Sequence, residues 1–237
     1  MTESFFDLNN TMGTPGLQLP EELREPIRDH LNNLHKQYLK MNWAQHVGYG
    51  KNPAIIVIDL AINWTILNTQ MGSNMDSVVN ATKNILESGR EANIPIFFST
   101  SDFDPHELPA LRSKKFKTDV KQGNESLYNL DPRLKRRPNE KILYKKYASC
   151  FKGTNMQEML TVLNIDTLIL TGVSTSHCVY ATARDASDSF RVIIPYEAVG
   201  DRCQIMQWVN LLDIEIDLGD VVSTQNVTDY LKRLKLK

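Results

Sequence analysis

Apolar residues along this chain come in short continuous runs, and the runs alternate with stretches of helical spacing. Residues 54–60 (AIIVIDL) form one such run, of strand length and rich in β-branched side chains. With no polar alternation, it predicts a strand buried on both faces, ending in Asp59. Residues 94–99, 141–145, 168–170, 191–195 and 213–217 predict five more strands. Between them, apolar positions recur every three to four residues and predict helices over 74–87, 154–163, 178–186, 204–212 and 223–234. Ser88-Gly89 supplies a stop for the first of these, and Thr154 a cap for the second. The strand at 168–170 breaks at Thr171-Gly172, and helical spacing resumes at Cys178 with Val179, Ala183 and Ala186.

The two ends of this pattern differ from its middle. Pro20-Glu21-Glu22 opens a further helix, acidic at its start, running to about Met41. Residues 1–18 are polar, with Gly13, Pro15 and Gly16, and read as an arm that a neighbouring subunit could order. Residues 42–53 are an irregular lead-in. Residues 100–140, rich in Pro, Asp and Lys, form a long connection of the kind that serves as a lid or carries short helices.

Strands alternating with helices imply a three-layer α/β/α, Rossmann-like fold with a central, mainly parallel six-stranded sheet and right-handed crossovers. The expected organisation is residues 1–52 as an arm and helix packing on the domain or on a neighbouring subunit, and residues 53–237 as one domain. Composition agrees with a globular chain: 237 residues, 41% hydrophobic, 23% charged. The net charge of -1 offers nothing to nucleic acid. Lys114-Lys115-Phe116-Lys117 and Lys135-Arg136-Arg137 read as solvated surface. Three cysteines without a C-x-x-C pair give no disulfide or zinc framework. No run reaches transmembrane length and no signal-peptide core is present. The expectation is a reduced, cytoplasmic protein with no membrane partner.

Parallel sheets bind ligands beyond the carboxyl ends of their strands. Three polar residues fall there: Asp59 after the first strand, Lys145 at the end of the third, and Cys178 after the fourth. Each has a plainer alternative, as a turn cap, a solvated strand end and a small core residue. In the first turn of a helix, Cys178 would meet unpaired N–H groups and the positive end of the helix dipole, both of which favour thiolate. A nucleotide-binding reading fails at the first strand, which is followed by Leu60-Ala61-Ile62-Asn63-Trp64 and not by G-x-G-x-x-G.

Across residues 53–202 these motifs resemble the isochorismatase-like cysteine hydrolases, whose triad is Asp, Lys and Cys. The matching features are the apolar strand ending in Asp59, Lys145 followed by Ser149-Cys150-Phe151 and Gly153-Thr154, and residues 172–179 (GVSTSHCV). Within that family, Asp59-Leu60 with Trp64-Thr65, and Val199-Gly200-Asp201-Arg202, look most like N-carbamoylsarcosine amidases and maleamate amidases. The resemblance implies a hydrolase that releases ammonia from a small carboxylate-bearing amide or ureide, assembled as a dimer or tetramer; the alternatives are a maleamate, biuret or other amide hydrolase of the family, or a catalytically silent interaction protein on this fold. The hydrolase's nucleophile is Cys178, assisted by Asp59 and Lys145. It implies an oxyanion hole from the backbone of Ser174 and Cys178, a cis peptide at Val173-Ser174, and substrate contacts from Trp64, His177 and Arg202. Arg202 would hold a substrate carboxylate; an ion pair with Asp201 or Glu197 is the alternative. His177 stands where the amidases carry a small residue, and either borders the pocket or turns away. Cys203 reads as packing. Nicotinamidases of this fold bind a metal through Asp and two His after the second strand; residues 102–106 (DFDPH) hold one His. No catalytic metal and no cofactor are therefore expected.

Overall fold

A computed structural model of the chain describes residues 4–8, 12–101, 115 and 125–235. Its helices are α1 (Glu21–Lys40), α2 (Ile62–Thr65), α3 (Asp76–Glu91), α4 (Met156–Val162), α5 (Tyr180–Ala186), α6 (Gln204–Asp217) and α7 (Thr224–Lys235). Its strands are β1 (Pro53–Ile58), β2 (Ile96–Ser101), β3 (Lys141–Lys145), β4 (Thr167–Val173), β5 (Arg191–Pro195), β6 (Val199–Gly200) and β7 (Asp220–Val222). Every pairing between these strands is parallel, in the order β3-β2-β1-β4-β5-β7, with the two-residue β6 joined to the end of β4.

Side chains alternate across a strand, so each buried strand supplies two cores. Ala54, Ile56 and Ile58 of β1, with Leu168 and Leu170 of β4, face a core that takes in Leu31, Leu160, Ala183 and Trp208 from α1, α4, α5 and α6. Ile55 and Val57, with Ile169 and Val173, face the opposite core with Val78, Val79, Ile85 and Leu86 of α3 and Val227 and Leu231 of α7. This is the expected three-layer plan.

Several boundaries differ from expectation, three of them for a reason visible in the packing. The helix expected to stop at Ser88-Gly89 runs on to Glu91. Gly89 serves close packing there: a β-carbon on it would sit 2.3 Å from Ile55 Cδ1, so glycine lets α3 lie close to β1. The strand expected at 213–217 is the last turns of α6, because Trp208, Leu211, Leu212 and Glu215 are buried at helical spacing. The alternation of Ile214 and Ile216 imitated a strand, and the strand itself is β7. Finally, β4 does not break at Thr171-Gly172 but continues through both. Gly172 has φ +110°, and a β-carbon there would lie 2.0 Å from the Ile58 carbonyl oxygen, so only glycine lets β1 and β4 approach at this level.

At the N-terminal end, Phe5 and Phe6 are buried against their own chain: Phe6 lies edge-on to Trp208 of α6 and Phe5 edge-on to His35 of α1. Two carboxylates fasten the lead-in to β1. Asp220 accepts from the N–H groups of Val47 and Gly48, and Asp166 from those of Lys51 and Asn52. Charge-assisted bonds of this kind give order to a segment with no secondary structure.

Candidate active site

The carboxyl ends of β1, β2, β3 and β4 form one rim, and polar side chains converge on it. β1 closes at Ile58, and Asp59 then takes φ +50°, a left-handed conformation uncommon outside glycine, which turns its side chain back under the rim. Lys145, the last residue of β3, reaches Asp59 with its Nζ 2.7 Å from Oδ2. Its remaining hydrogens go to the Tyr147 and Ala148 carbonyls at 3.1 and 3.0 Å. Both partners are about 97% buried, which takes the pair out of the range of solvent screening.

Cys178 joins them from the connection between β4 and α5. That connection is a five-residue π-type turn, Thr175–Val179, and α5 begins only at Tyr180. Cys178 therefore precedes the α-helix, contrary to the expected place in its first turn. The turn hangs from Asp201, whose carboxylate accepts from Ser176 N–H at 2.9 Å and Ser176 Oγ at 2.6 Å. Just before it lies the cis peptide Val173-Ser174.

Electrostatics work against the pull toward thiolate that a helix end would give. Burial pushes the Cys178 thiol up, the hydrogen-bonded Asp59 carboxylate pushes it further, and Lys145 only partly offsets them. Both influences favour the protonated thiol beside the carboxylate. Burial presses hardest on Lys145, and the groups around it, Asp59 first among them, together hold the ammonium above the usual lysine range. The arrangement thus stores a proton on sulfur, an acceptor next to it, and a fixed cation behind the acceptor.

Two neighbours of this cluster, Ser99 and Thr182, went unread in the sequence, and a third, Cys150, was read only as part of a motif. Ser99, on β2, donates to Asp59 Oδ1 at 2.8 Å. Thr182 Oγ1 donates to the Cys178 carbonyl at 2.7 Å and accepts the N–H of Cys150 at 3.1 Å. Cys150 is fully buried beside the cluster, and burial pushes its thiol up as well. Ser99 carried a usable signal, a polar residue inside an apolar strand on the same rim; Thr182 and Cys150 look like ordinary small core residues.

The expected substrate-binding residues are placed as follows. β6 pairs with β4 at Gly172 and Val173, so Arg202 follows on the same rim. Its guanidinium lies over the Trp64 ring, 5.6 Å from the centroid, and Trp64 belongs to α2 just beyond Asp59. Neither carboxylate of the alternative reading engages it: Asp201 holds Ser176, and Glu197 accepts from Thr224. His177 is half-buried with its Nε2 shielded from solvent. One wall of the rim is the described end of the long connection, where Ala61 bridges Leu130, Asp131 N–H reaches the Leu60 carbonyl, and Thr100 Oγ1 donates to the Tyr128 carbonyl. The metal question turned on residues 102–106, which lie outside the described residues. Among the described residues no cluster of His, Cys, Asp and Glu could hold a metal, and no helix is long and apolar enough to cross a membrane.

Comparison with known proteins places this geometry among relatives. Residues 53–225 match the isochorismatase domain. The chain is 34% identical to an N-carbamoylsarcosine amidase of Arthrobacter over 206 residues, covering 83% of this chain and 78% of that protein. It is 29% identical to a maleamate amidohydrolase of Pseudomonas putida, covering 81% of this chain and 92% of that protein. The crystal structure of a cysteine hydrolase from Pseudomonas syringae superposes with a TM-score of 0.74 at 18% identity, covering 81% and 98% of the two chains, and shares the fold.

Proposed function

The chain belongs to the isochorismatase family, and we propose that it is a cysteine-dependent amidohydrolase acting on a small carboxylate-bearing amide or ureide, in the manner of an N-carbamoylsarcosine amidase. The observation that carries this reading is the buried Lys145–Asp59 pair at 2.7 Å with the Cys178 thiol against it. The amidase relatives support the bond type, a linear C–N bond outside peptides.

In the proposed reaction, Asp59 takes the thiol proton as Cys178 sulfur attacks the carbonyl carbon. The oxyanion is held by the backbone N–H groups of Ser174 and Cys178. Collapse breaks the C–N bond, and Asp59 returns the proton to the departing ammonia. Water, deprotonated by Asp59, then attacks the thioester or thiocarbamate carbon, the C–S bond breaks, and Asp59 returns that proton to the departing Cys178 sulfur. Lys145 stays cationic throughout and steadies each anionic form, so the three groups act as one coupled set. The molecule would work as a dimer or tetramer without a cofactor.

The direct test is ammonia release from a panel of N-carbamoylsarcosine, other N-carbamoyl amino acids, maleamate, biuret and nicotinamide. No release from any member would set the amidohydrolase reading aside. Chelators are expected to leave the rate unchanged; a loss reversed by zinc or iron would point to a metal site of the nicotinamidase kind.

Arg202 is expected to select for the carboxylate. Its fork matches a carboxylate with two charge-assisted bonds, and Trp64 keeps its plane in place. Arg202→Ala should raise KM for acidic substrates by about 10- to 100-fold, the size of one or two such bonds, and barely affect a neutral amide. Arg202→Lys should be impaired too. The measurement is the ratio of kcat/KM for carboxylated over neutral substrate; an unchanged ratio removes Arg202 from substrate binding.

A further inference from the structure

Ser99 makes a closed loop with Asp59 that its place in a strand does not require. Ile58 and Ser99 are neighbours across the β1–β2 pairing, so the chain leaves β1 directly beside Ser99. The Asp59 N–H points at both the Ser99 carbonyl (3.1 Å) and the Ser99 hydroxyl oxygen (3.3 Å). The same hydroxyl donates back to Asp59 Oδ1 at 2.8 Å. One side chain thus accepts from the backbone and donates to the carboxylate of a single residue, and that residue sits in the left-handed region. Ser99 is fully buried, so no water competes for its hydrogen.

We propose that Ser99 is the positioning residue of the site: it clamps one oxygen of the Asp59 carboxylate so that the other is presented to Lys145 and the Cys178 thiol. This rests on Asp59 being the proton carrier of the proposed reaction. A carboxylate rotates freely between its two oxygens unless both are engaged. Lys145 on β3 holds Oδ2 and Ser99 on β2 holds Oδ1, so the plane of the carboxyl is set by two strands. The thiols facing the pair come from elsewhere, Cys178 from the turn after β4 and Cys150 from the segment after β3. Only a group that both donates and accepts can make the loop, which admits Ser or Thr and excludes Ala. A proton transfer that depends on an ångström-scale alignment is sensitive to losing such a hold, by as much as about 100-fold.

Packing and positioning predict opposite orders for two variants. Ser99→Ala removes one oxygen and almost no volume, whereas Ser99→Thr keeps the hydroxyl and forces a methyl into a closed space. If Ser99 only fills space, Ala should outperform Thr. Positioning predicts the reverse: kcat about 10- to 100-fold down in Ser99→Ala with KM within about twofold, and kcat in Ser99→Thr at least about fivefold above Ala. A second readout needs no substrate. The rate of iodoacetamide labelling at Cys178, measured on its own peptide by mass spectrometry, should fall in Ser99→Ala and recover in Ser99→Thr. That assay decides the role of Ser99 even if the substrate panel yields no ammonia, so failure of the amidase reading and failure of this one are separate results. Should Ser99→Ala not fold, Ser99→Cys, a poor donor of similar size, takes its place in both comparisons. Equal labelling and equal kcat in the two variants, or Ala (or Cys) ahead of Thr, would overturn the proposal.

Discussion

Cys178→Ala should lose at least about 10⁴-fold in kcat/KM, the scale on which a coupled constellation fails when its nucleophile is removed. Cys178→Ser should fare little better. Burial and the adjacent carboxylate both push the thiol up, so in the proposed reaction attack depends on Asp59 taking the proton as the C–S bond forms. A serine hydroxyl is far less acidic than a thiol, and a carboxylate is too weak a base to draw its proton. Both variants should keep the wild-type melting temperature to within a few degrees, because the change is one atom in a turn held by Asp201 and Thr182. Circular dichroism and ammonia release together make the measurement. Retention of more than a few per cent of turnover in Cys178→Ala would place the nucleophile elsewhere.

Lys145→Ala is expected to be nearly inactive, down about 10²- to 10³-fold, while Lys146→Ala stays within about twofold of wild type. Adjacent residues at a strand end face opposite ways, and the structure buries Lys145 and exposes Lys146. Losing the ammonium removes the fixed charge that balances Asp59 through every step. It also leaves a carboxylate buried with neutral donors only, a change worth about 3–5 kcal/mol when one member of a buried pair is deleted. Lys145→Ala should therefore melt measurably lower than both wild type and Lys146→Ala. Equal damage to turnover from the two variants would mean that Lys145 is not the residue acting on Asp59.

Strand cores were legible wherever burial is two-sided. Residues 54–58 and 168–170 are apolar at every position, and a run of that kind has few other uses in a globular chain. Asp59 and Lys145 were legible as candidates because a polar residue ending a strand stands out, and Cys178 because it follows one; parallel topology brings such ends to one rim. Element ends were less readable. Gly89 and Gly172 look like stops, but each is a contact point where a helix or a neighbouring strand comes too close for a β-carbon. Residues 213–217 alternate like a strand and close a helix, because Trp208, Leu211 and Leu212 anchor the same face further back.

The sequence by itself determined the layering of the fold, the identity of the residues at the rim and the resemblance those residues carry. All of these depend on residue type and order along the chain. The tertiary structure alone set what pushes the thiol up, which is depth and a carboxylate 119 positions away in the chain. It alone decided that Arg202 lies over Trp64 and that Asp201 spends its charge on a turn. It alone revealed Ser99, whose hydroxyl matters because two strands meet in one register and place it against Asp59. Distances of 2.6–2.8 Å set the hydrogen bonds and the ion pair of the site. A linear pattern records which groups are available, and only packing brings them within reach of each other.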